Sequence, residues 1–413
     1  LKPSSDTGSQ VIVGGEVRGQ MSAADYFKMK RQLIPDILAA FNSLSEDVDI
    51  VVIEGAGSPA EINLKADDIV NMGLAKLVDA PVLLAGDIDR GGVFAQLYGT
   101  VALLEQEERA RIAGLVINKF RGDVEILRPG LAMLEEKTGL PVLGVVPYLH
   151  VEIEDEDSLS ERLNANRAVK PLDAAVIRLP HISNFTDFMP LEQHELLGVR
   201  YVQRARELGR PDLVILPGTK NTMEDLLWLR QNGLEAAALK LAHAGTPILG
   251  VCGGYQMLGQ TLDDPQGTES GRPMALSGLG LLPTRTVFDA QKRRMQVRAA
   301  AQGELFGGAR LTGYEIHNGR TEVGGAPFCV LEDGTPEGCV NRNAFGTYLH
   351  GLFDSGELTG ALVRMLCARK GISPTQTQLM SMADYRQQQF DLLADGVRQA
   401  LDMGAVYRAI NTA

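Results

Sequence analysis

The sequence predicts an α/β protein of two doubly wound domains, each with a parallel sheet covered by helices on both faces. Short continuous apolar runs alternate with amphipathic helical patterns through both halves of the 413-residue chain, and this alternation is typical of parallel sheets. Polar, glycine-rich segments follow the apolar runs, where ligands bind in such folds. We therefore predict domains at residues 1–165 and 172–363 and a helical extension at 364–413.

The composition is that of a globular protein with an acidic balance. Hydrophobic residues make up 45% of the chain, charged residues 22%, and the formal net charge is −12. This negative charge argues against nucleic acid and anionic membranes as partners, and no apolar run approaches the roughly 20 residues of a membrane helix. The four cysteines lack metal-site spacing, so we expect reduced thiols and a cytoplasmic location.

The first domain is predicted from four apolar runs that are followed by polar loops. The predicted strands cover residues 49–53, 81–85, 113–117 and 141–146, and predicted helices cover 23–44 and 68–77. The loops after the first three strands carry Glu54, Asp87, Asp89, Asn118 and Lys119. A solvated loop charge is the common role for any one of them, but their repetition at successive strand ends indicates a shared ligand site.

The second domain is organised around a cysteine that follows its third predicted strand. Strands are predicted at 174–179, 212–216 and 247–251, and the last leads into Gly250-Val251-Cys252-Gly253-Gly254 and a helical pattern. The glycines allow a sharp strand–turn–helix path with the thiol at its apex, and the helix that follows favours the thiolate. A buried structural cysteine is the alternative, but the clustered glycines favour a nucleophile at Cys252.

A cysteine nucleophile requires a base, and His350 is the preferred candidate. It ends a β-like run and is followed by a glycine, whereas its rival His317 lies in the segment 313–319. Cys252 and His350 are far apart in the sequence, as expected for a Cys–His pair that the fold assembles. The other histidines are interpreted as surface or structural residues: His150, His181, His194 and His243.

The order of these motifs resembles that of class I glutamine amidotransferases. The segment 212–222, the Cys252 turn and the late His350 occur in the same order as in that family. The resemblance implies that Cys252 attacks the side-chain amide of L-glutamine and releases ammonia through a thioester. It also implies an oxyanion hole formed by backbone N–H groups near Gly218 and Gly253.

One departure from the class I pattern concerns the carboxylate that orients the histidine. That pattern has a glutamate two residues after the histidine, where this chain has Leu352. Glu315 or Asp354 could take its place, or Cys252 and His350 act as a dyad, which is the arrangement we predict. The departure and the segment Tyr-Glu-Ile-His-Asn-Gly at 314–319 resemble the branch that contains cobyric acid synthases and cobyrinic acid a,c-diamide synthases.

Residues 1–165 resemble the dethiobiotin synthetase-like, P-loop-derived ATPase domain of the same branch. Lys2 lies in a segment similar to the family's Lys-Pro loop, Glu54 in one similar to its Mg²⁺ loop, and Asn118 in one similar to its adenine-side segment. The resemblance implies ATP and Mg²⁺ as cofactors, with these three residues at the nucleotide and Glu54 at the metal. No Gly-x-x-x-x-Gly-Lys-[Ser/Thr] motif occurs, so we interpret the chain as lacking the family's P-loop, which precedes the Lys-Pro segment.

The resemblance extends over nearly the whole chain and implies the function of a cobyric acid synthase in cobalamin biosynthesis. It implies acyl-phosphate activation by ATP and amidation of carboxylates b, d, e and g of a corrinoid, adenosylcobyrinic acid a,c-diamide. The nearest alternative is a cobyrinic acid a,c-diamide synthase. The alternative of a different class is a P-loop-type partner protein with an inactive glutaminase domain, against which the intact Cys252 and His350 argue.

Overall fold

The computed structural model describes residues 1–5, 8–153, 169–373 and 381–411. The chain forms two compact units, one of Leu1–Val151 with Phe390–Ala413 and one of Glu152–Gln389. Both contain a parallel sheet and helices, which confirms the predicted α/β class. The predicted boundary at 165 lies outside the described residues, and those at 172 and 364 stay predictions.

The first unit begins with a small antiparallel sheet and a broken helix. The sheet consists of Lys2–Ser5 (β1), Gly8–Val13 (β2) and Glu16–Ser22 (β3). The predicted helix over 23–44 is divided into Ala23–Met29 (α1) and Ile34–Ser45 (α2) by a 3-10 turn. Pro35 is the reason, because it lacks a backbone N–H and is tolerated in the first turn of a helix but not inside one.

The predicted strand at residues 49–53 is wrong. These residues form no regular structure, and Val52 is 90% exposed. A strand needs hydrogen-bond partners on a neighbouring strand, and the described residues provide none here. Asn71 holds the following loop instead, because its side-chain amide accepts from the N–H of Ala56 and donates to the carbonyls of Ala56 and Ser58.

A three-stranded parallel sheet forms the centre of the first unit and contains the other three predicted strands. Its strands are Val82–Asp87 (β4), Ile112–Phe120 (β5) and Val142–Pro147 (β6), with β5 in the middle. Leu115, Val116 and Ile117 on β5 are all buried, and because successive side chains point to opposite faces, this central strand is covered on both. The helices of this part are Met72–Leu77 (α3), Val93–Leu103 (α4), Gln106–Ala110 (α5) and Val124–Thr138 (α6).

The second unit has a six-stranded sheet. Its strands are Leu172–Ile177 (β7), Leu197–Val202 (β8), Leu213–Leu216 (β9), Ile248–Val251 (β10), Cys339–Asn341 (β17) and Ala344–Thr347 (β18). Their order across the sheet is β17-β18-β10-β9-β7-β8. All neighbours are parallel except β17 with β18. From β7 the chain adds β8 on one side and β9 and β10 on the other, which is the doubly wound arrangement.

A second sheet of the same unit has two unusually long strands. Its strands are Thr261–Asp264 (β11), Met274–Ser277 (β12), Thr284–Ala301 (β13), Arg310–Val323 (β14), Cys329–Leu331 (β15), Pro336–Glu337 (β16) and Leu349–His350 (β19). The antiparallel pair of β13 and β14 continues to β19. Because β19 follows β18 directly, His350 lies where the two sheets meet.

The remaining helices of the described chain lie in the second unit and in the closing segment Phe390–Ala413, which belongs to the first unit. They are Met189–Gln193 (α7), Ala205–Leu208 (α8), Thr222–Gln231 (α9), Leu234–His243 (α10), Gly253–Leu258 (α11), Gly303–Phe306 (α12), Glu357–Lys370 (α13), Met382–Ala400 (α14) and Met403–Asn411 (α15). Within the described residues, no helix combines the length and the apolar composition that crossing a bilayer requires.

Candidate active site

The turn between β10 and α11 places Cys252 in a strained backbone conformation. Its φ of 52° and ψ of −111° are unfavourable for a residue with a side chain. Glycine is required next to it, because a Cβ on Gly254 would lie 2.0 Å from the carbonyl oxygen of Leu216, and one on Gly250 2.7 Å from that of Gly254. This is the geometry of a nucleophile elbow, and the glycine pattern around Cys252 predicts it.

Backbone contacts fix the cysteine between the two sheets. The N–H of Cys252 donates to the carbonyl of Thr347 at 2.8 Å, and its Sγ lies 3.6 Å from the carbonyl oxygen of Ile316. The side chain of Gln256, one turn later on α11, bonds Thr222 and the carbonyl of Asn318. The thiol is thus buried and has a defined direction towards β14.

His350 is the histidine that the fold brings to this thiol. Its ring is 1% exposed, and Nδ1 lies 2.6 Å from Oδ2 of Asp187. Burial works against the charged imidazolium, but the hydrogen bonds to Asp187 and Cys252 outweigh it and raise the pKa of His350 to about 10. With Nδ1 held by the carboxylate, the other ring nitrogen is available to the thiol.

The carboxylate at His350 is not one of those that the sequence suggested. Glu315 lies 2.6 Å from Arg293, and Asp354 lies 3.3 Å from Arg386. The predicted dyad is also wrong as a description of the geometry, because Asp187 occupies the orienting position. Asp187 lies 163 residues before His350, so no local spacing connects them.

The signal for Asp187 in the sequence is its apolar surroundings. It lies in the short 3-10 helix Phe185–Phe188. Both phenylalanines of this helix are buried, and the carboxylate of Asp187 between them is therefore buried too. A buried carboxylate must be paired or hydrogen-bonded. Here it accepts from the N–H of Gly351 at 2.9 Å in addition to the imidazole.

A second buried carboxylate that sequence reasoning missed supports the segment before His350. Glu337 accepts hydrogen bonds from the N–H of Tyr348 at 2.6 Å and from the hydroxyl of Thr347 at 2.7 Å. Burial raises the pKa of Glu337 despite these bonds. The carbonyl of Thr347 also accepts the hydrogen bond from the N–H of Cys252. Glu337 therefore stabilises the contact between the cysteine turn and the strand that leads to His350.

His317, the rival base, points away from the candidate site. Tyr314 pairs with His350 across β14 and β19, and their rings stack at 5.3 Å. Since side chains alternate along a strand, His317 lies on the other face of β14, where it stacks on Tyr348 at 3.6 Å. Its position does not suit proton transfer from Cys252.

The two predicted oxyanion glycines flank the thiol and the imidazole. A Cβ on Gly218 would lie 3.1 Å from Cε1 of His350, and one on Gly253 would lie 3.3 Å from the backbone nitrogen of Thr219. No hydrogen bond of the N–H groups of Thr219 and Gly253 is found within the part of the chain that the structure describes. These two N–H groups are therefore candidates for binding an oxyanion.

A buried network holds the loop that carries Thr219. The carboxylate of Asp225 is 0% exposed and accepts from the hydroxyl of Thr219 and from the N–H of His181. It also lies 2.8 Å from Nδ1 of His181. The network fixes Thr219, so its backbone N–H is positioned before any substrate binds.

Of the ligand residues predicted in the first unit, Asp87 and Asn118 lie at the ends of β4 and β5, whereas Glu54 and Lys2 do not. Asp87 and Asn118 are in register, and Asp87 lies 2.8 Å from Nζ of Lys119. Glu54 is exposed and forms no hydrogen bond or ion pair within the described residues. Lys2 lies on β1, but its side chain is outside the described part of the structure.

Comparison with protein families assigns a class to each unit. Residues 173–358 match the CobB/CobQ-like glutamine amidotransferase domain, and residues 21–154 match the AAA domain. The first match contains Asp187, Cys252 and His350. The fold and the candidate site thus define a glutamine amidotransferase joined to an ATPase-type domain.

Close relatives narrow this class. The cobyric acid synthase of Ruminiclostridium cellulolyticum is 50% identical, over 99% of this chain and 82% of its own. The cobyric acid synthase of Lachnoclostridium phytofermentans is 51% identical, over 99% of this chain and 84% of its own. That of Salmonella typhimurium is 48% identical, over 98% of this chain and 83% of its own. The chain belongs to the cobyric acid synthase family and is an enzyme of the amidotransferase and ligase type.

Proposed function

We propose that the second unit hydrolyses L-glutamine at Cys252 to supply ammonia for cobyric acid synthesis. The observation that carries the proposal is the arrangement of three buried groups: Nδ1 of His350 lies 2.6 Å from Asp187, and the thiol of Cys252 is close enough to the same imidazole to raise its pKa. A buried cysteine with only a structural role would not need a strained backbone or a base held by a carboxylate.

The chemistry follows from this arrangement. With its raised pKa, His350 holds the proton of the Cys252 thiol as an imidazolium, and the thiolate attacks the δ-carbonyl carbon of glutamine. The C–N bond then breaks, the imidazolium gives its proton to the leaving ammonia, and a thioester remains. His350 next removes a proton from water, which attacks the thioester and releases glutamate and the free thiol. Asp187 keeps the imidazole in the tautomer that both steps require.

The tetrahedral intermediates carry negative charge on the former carbonyl oxygen. The backbone N–H groups of Thr219 and Gly253, with Gly218 beside His350, form the oxyanion hole in this proposal. Preorganised donors of this kind stabilise the transition state without reorganisation during the reaction. The Asp225 network supports the proposal because it holds Thr219 in place.

The first unit would activate the corrinoid carboxylate with ATP. Glu54 suits a metal ligand, since its exposed carboxylate is not engaged by a cation among the described residues, whereas Asp87 and Asp89 are paired with Lys119 and Arg121. Mg²⁺ usually takes one or two protein carboxylates together with phosphate oxygens, and it would neutralise charge on the phosphates. Lys2 and Asn118 would contact the nucleotide.

The substrate of the proposed reaction is adenosylcobyrinic acid a,c-diamide. Transfer of the γ-phosphoryl group of ATP to a carboxylate gives an acyl phosphate, and ammonia then displaces phosphate to form the amide. Repetition at carboxylates b, d, e and g gives cobyric acid. The names of the relatives support this over a cobyrinic acid a,c-diamide synthase, and the assembled Cys252–His350–Asp187 site argues against an inactive glutaminase domain.

The product of the reaction tests this proposal. The protein is incubated with MgATP, L-glutamine and either cobyrinic acid or its adenosylated a,c-diamide, and the corrinoids are analysed by mass spectrometry. We expect four amide groups to be added to the a,c-diamide. Amidation of cobyrinic acid at a and c alone, with the a,c-diamide left unchanged, would instead identify the sister enzyme.

A further inference from the structure

One face of the second sheet leads from solvent to the candidate site. Gln296 on β13 pairs with Tyr314 on β14, and Tyr314 pairs with His350 on β19. Cross-strand partners share a face of a sheet, so the three side chains form a row. Gln296 and Tyr314 are exposed and His350 is buried, so the row runs from the surface to the imidazole.

Arg294 lies on this face, next to the row. It pairs across the strands with Ile316, whose carbonyl oxygen lies 3.6 Å from Sγ of Cys252. Neighbouring strands are ~4.8 Å apart, so Arg294 is one strand away from the residue that contacts the nucleophile. Its side chain is exposed and long enough to extend along the face.

The charges of the surrounding residues distinguish Arg294 from its neighbours. Arg293, on the opposite face, is neutralised by Glu315 at 2.6 Å. No carboxylate pairs with Arg294 or Arg298 across the ranges that the structure describes, but Arg298 lies four residues further along β13, opposite Thr312. Arg294 is therefore an uncompensated cation on the sheet face beside the thiol.

We propose that Arg294 binds the α-carboxylate of L-glutamine while its side-chain amide lies against Cys252. The inference rests on the proposed glutaminase function and names a residue that determines substrate specificity. In glutamine, two methylene groups and the α-carbon separate the amide carbon from the α-carboxylate, so the substrate can span the gap from Cys252 to Arg294. A guanidinium group also matches a carboxylate with two parallel hydrogen bonds.

Glutaminase kinetics of the whole chain test the inference with two substrates. Arg294→Ala should lower kcat/KM for L-glutamine about 10- to 100-fold, mainly through KM, because a charge-assisted pair is lost. Arg294→Lys should recover part of this loss, and Arg298→Ala should behave as the wild type. With L-glutamine α-amide, which lacks the carboxylate, Arg294→Ala and the wild type should have equal kcat/KM.

An equal loss with both substrates would show that Arg294 supports the fold rather than the carboxylate, and would overturn the inference. Lys220 lies in the exposed loop after Thr219. The inference is also overturned if Lys220→Ala shows a loss with L-glutamine but not with the α-amide, and Arg294→Ala does not. Calorimetric titration of L-glutamine in the Cys252→Ala background measures binding without turnover. Weaker binding in Cys252→Ala/Arg294→Ala than in Cys252→Ala would support the Arg294 inference even if the protein did not hydrolyse glutamine, because the titration requires only that the substrate binds. Failure of the Arg294 inference is therefore distinguished from failure of the proposed glutaminase.

Discussion

Asp187 binds both the ring and the following peptide of His350. Its Oδ2 lies 2.6 Å from Nδ1 of the imidazole, and its Oδ1 accepts from the N–H of Gly351 at 2.9 Å. This carboxylate fixes the rotation of the ring and favours its charged form. It does so from the loop after β7, while the position two residues after the histidine is held by the buried Leu352.

Replacement of this carboxylate should impair the glutaminase reaction. Asp187→Asn should lower kcat roughly 10²- to 10⁴-fold, because the amide does not stabilise the imidazolium and can favour the wrong tautomer. Glutamate release at saturating glutamine measures the effect. Asp354→Asn is the matched control, since that carboxylate pairs with Arg386. Our assignment of the orienting carboxylate fails if the control shows the larger loss.

The raised pKa of His350 predicts a pH dependence of stability. Asp187 and Cys252 raise it from the ordinary value of 6.5 to about 10 against the effect of burial. The folded state therefore binds this proton more tightly than the unfolded state, so the stabilisation is complete below pH 6.5 and is lost as the pH rises to about 10. The difference in Tm between the wild type and His350→Gln should shrink across this window. A difference that does not change with pH would contradict the assignment.

The network around Asp225 should affect catalysis more than substrate binding. Asp225→Asn should lower kcat roughly 10-fold with little change in KM, because the N–H of Thr219 would lose its fixed position and oxyanion donors act mainly in the transition state. Asp173→Asn, which removes the partner of Arg200 on another edge of the sheet, controls for general loss of stability. Equal effects of both variants on kcat would refute a positioning role for Asp225.

The parts of the site that the sequence predicts are those with a local signal. The turn at Cys252 is visible because its glycines at 250, 253 and 254 stand together in the sequence, although only the close contacts of Gly250 lie within the strand–turn–helix unit and those of Gly253 and Gly254 are with residues 216–222. The apolar neighbours of Asp187 indicate that it is buried, but they do not connect it with His350. Asp187 and His350 meet only because β7 and β19 are brought together by pairings that involve the whole second unit, and sequence spacing does not encode these.

The same distinction applies to the fold. Residues 81–85, 113–117 and 141–146 become strands because each has a parallel neighbour in the sheet of the first unit. Residues 49–53 are equally apolar but have no such neighbour within the described residues, and they remain irregular. Apolar pattern alone predicts burial, whereas pairing decides whether a strand forms.

The synthase step should depend on the carboxylate of Glu54. Glu54→Gln should abolish ATP-dependent amidation with free ammonia, because the amide is a weaker ligand for Mg²⁺, while glutamate release persists. Asp87→Asn is the comparison, since Asp87 is already paired with Lys119. Normal ATP turnover in Glu54→Gln, together with its loss in Asp87→Asn, would move the metal site to the ends of β4 and β5.

The central claim is that Cys252 generates the ammonia that the synthase step consumes. Cys252→Ala should form no corrinoid amide with L-glutamine, whereas with excess ammonium chloride it should form the amide at the wild-type rate, because the thiol takes no part in activation of the carboxylate. The direct measurement is corrinoid amide formation in this variant with each nitrogen donor. Equal loss with glutamine and with ammonium would contradict the account and give Cys252 a structural role.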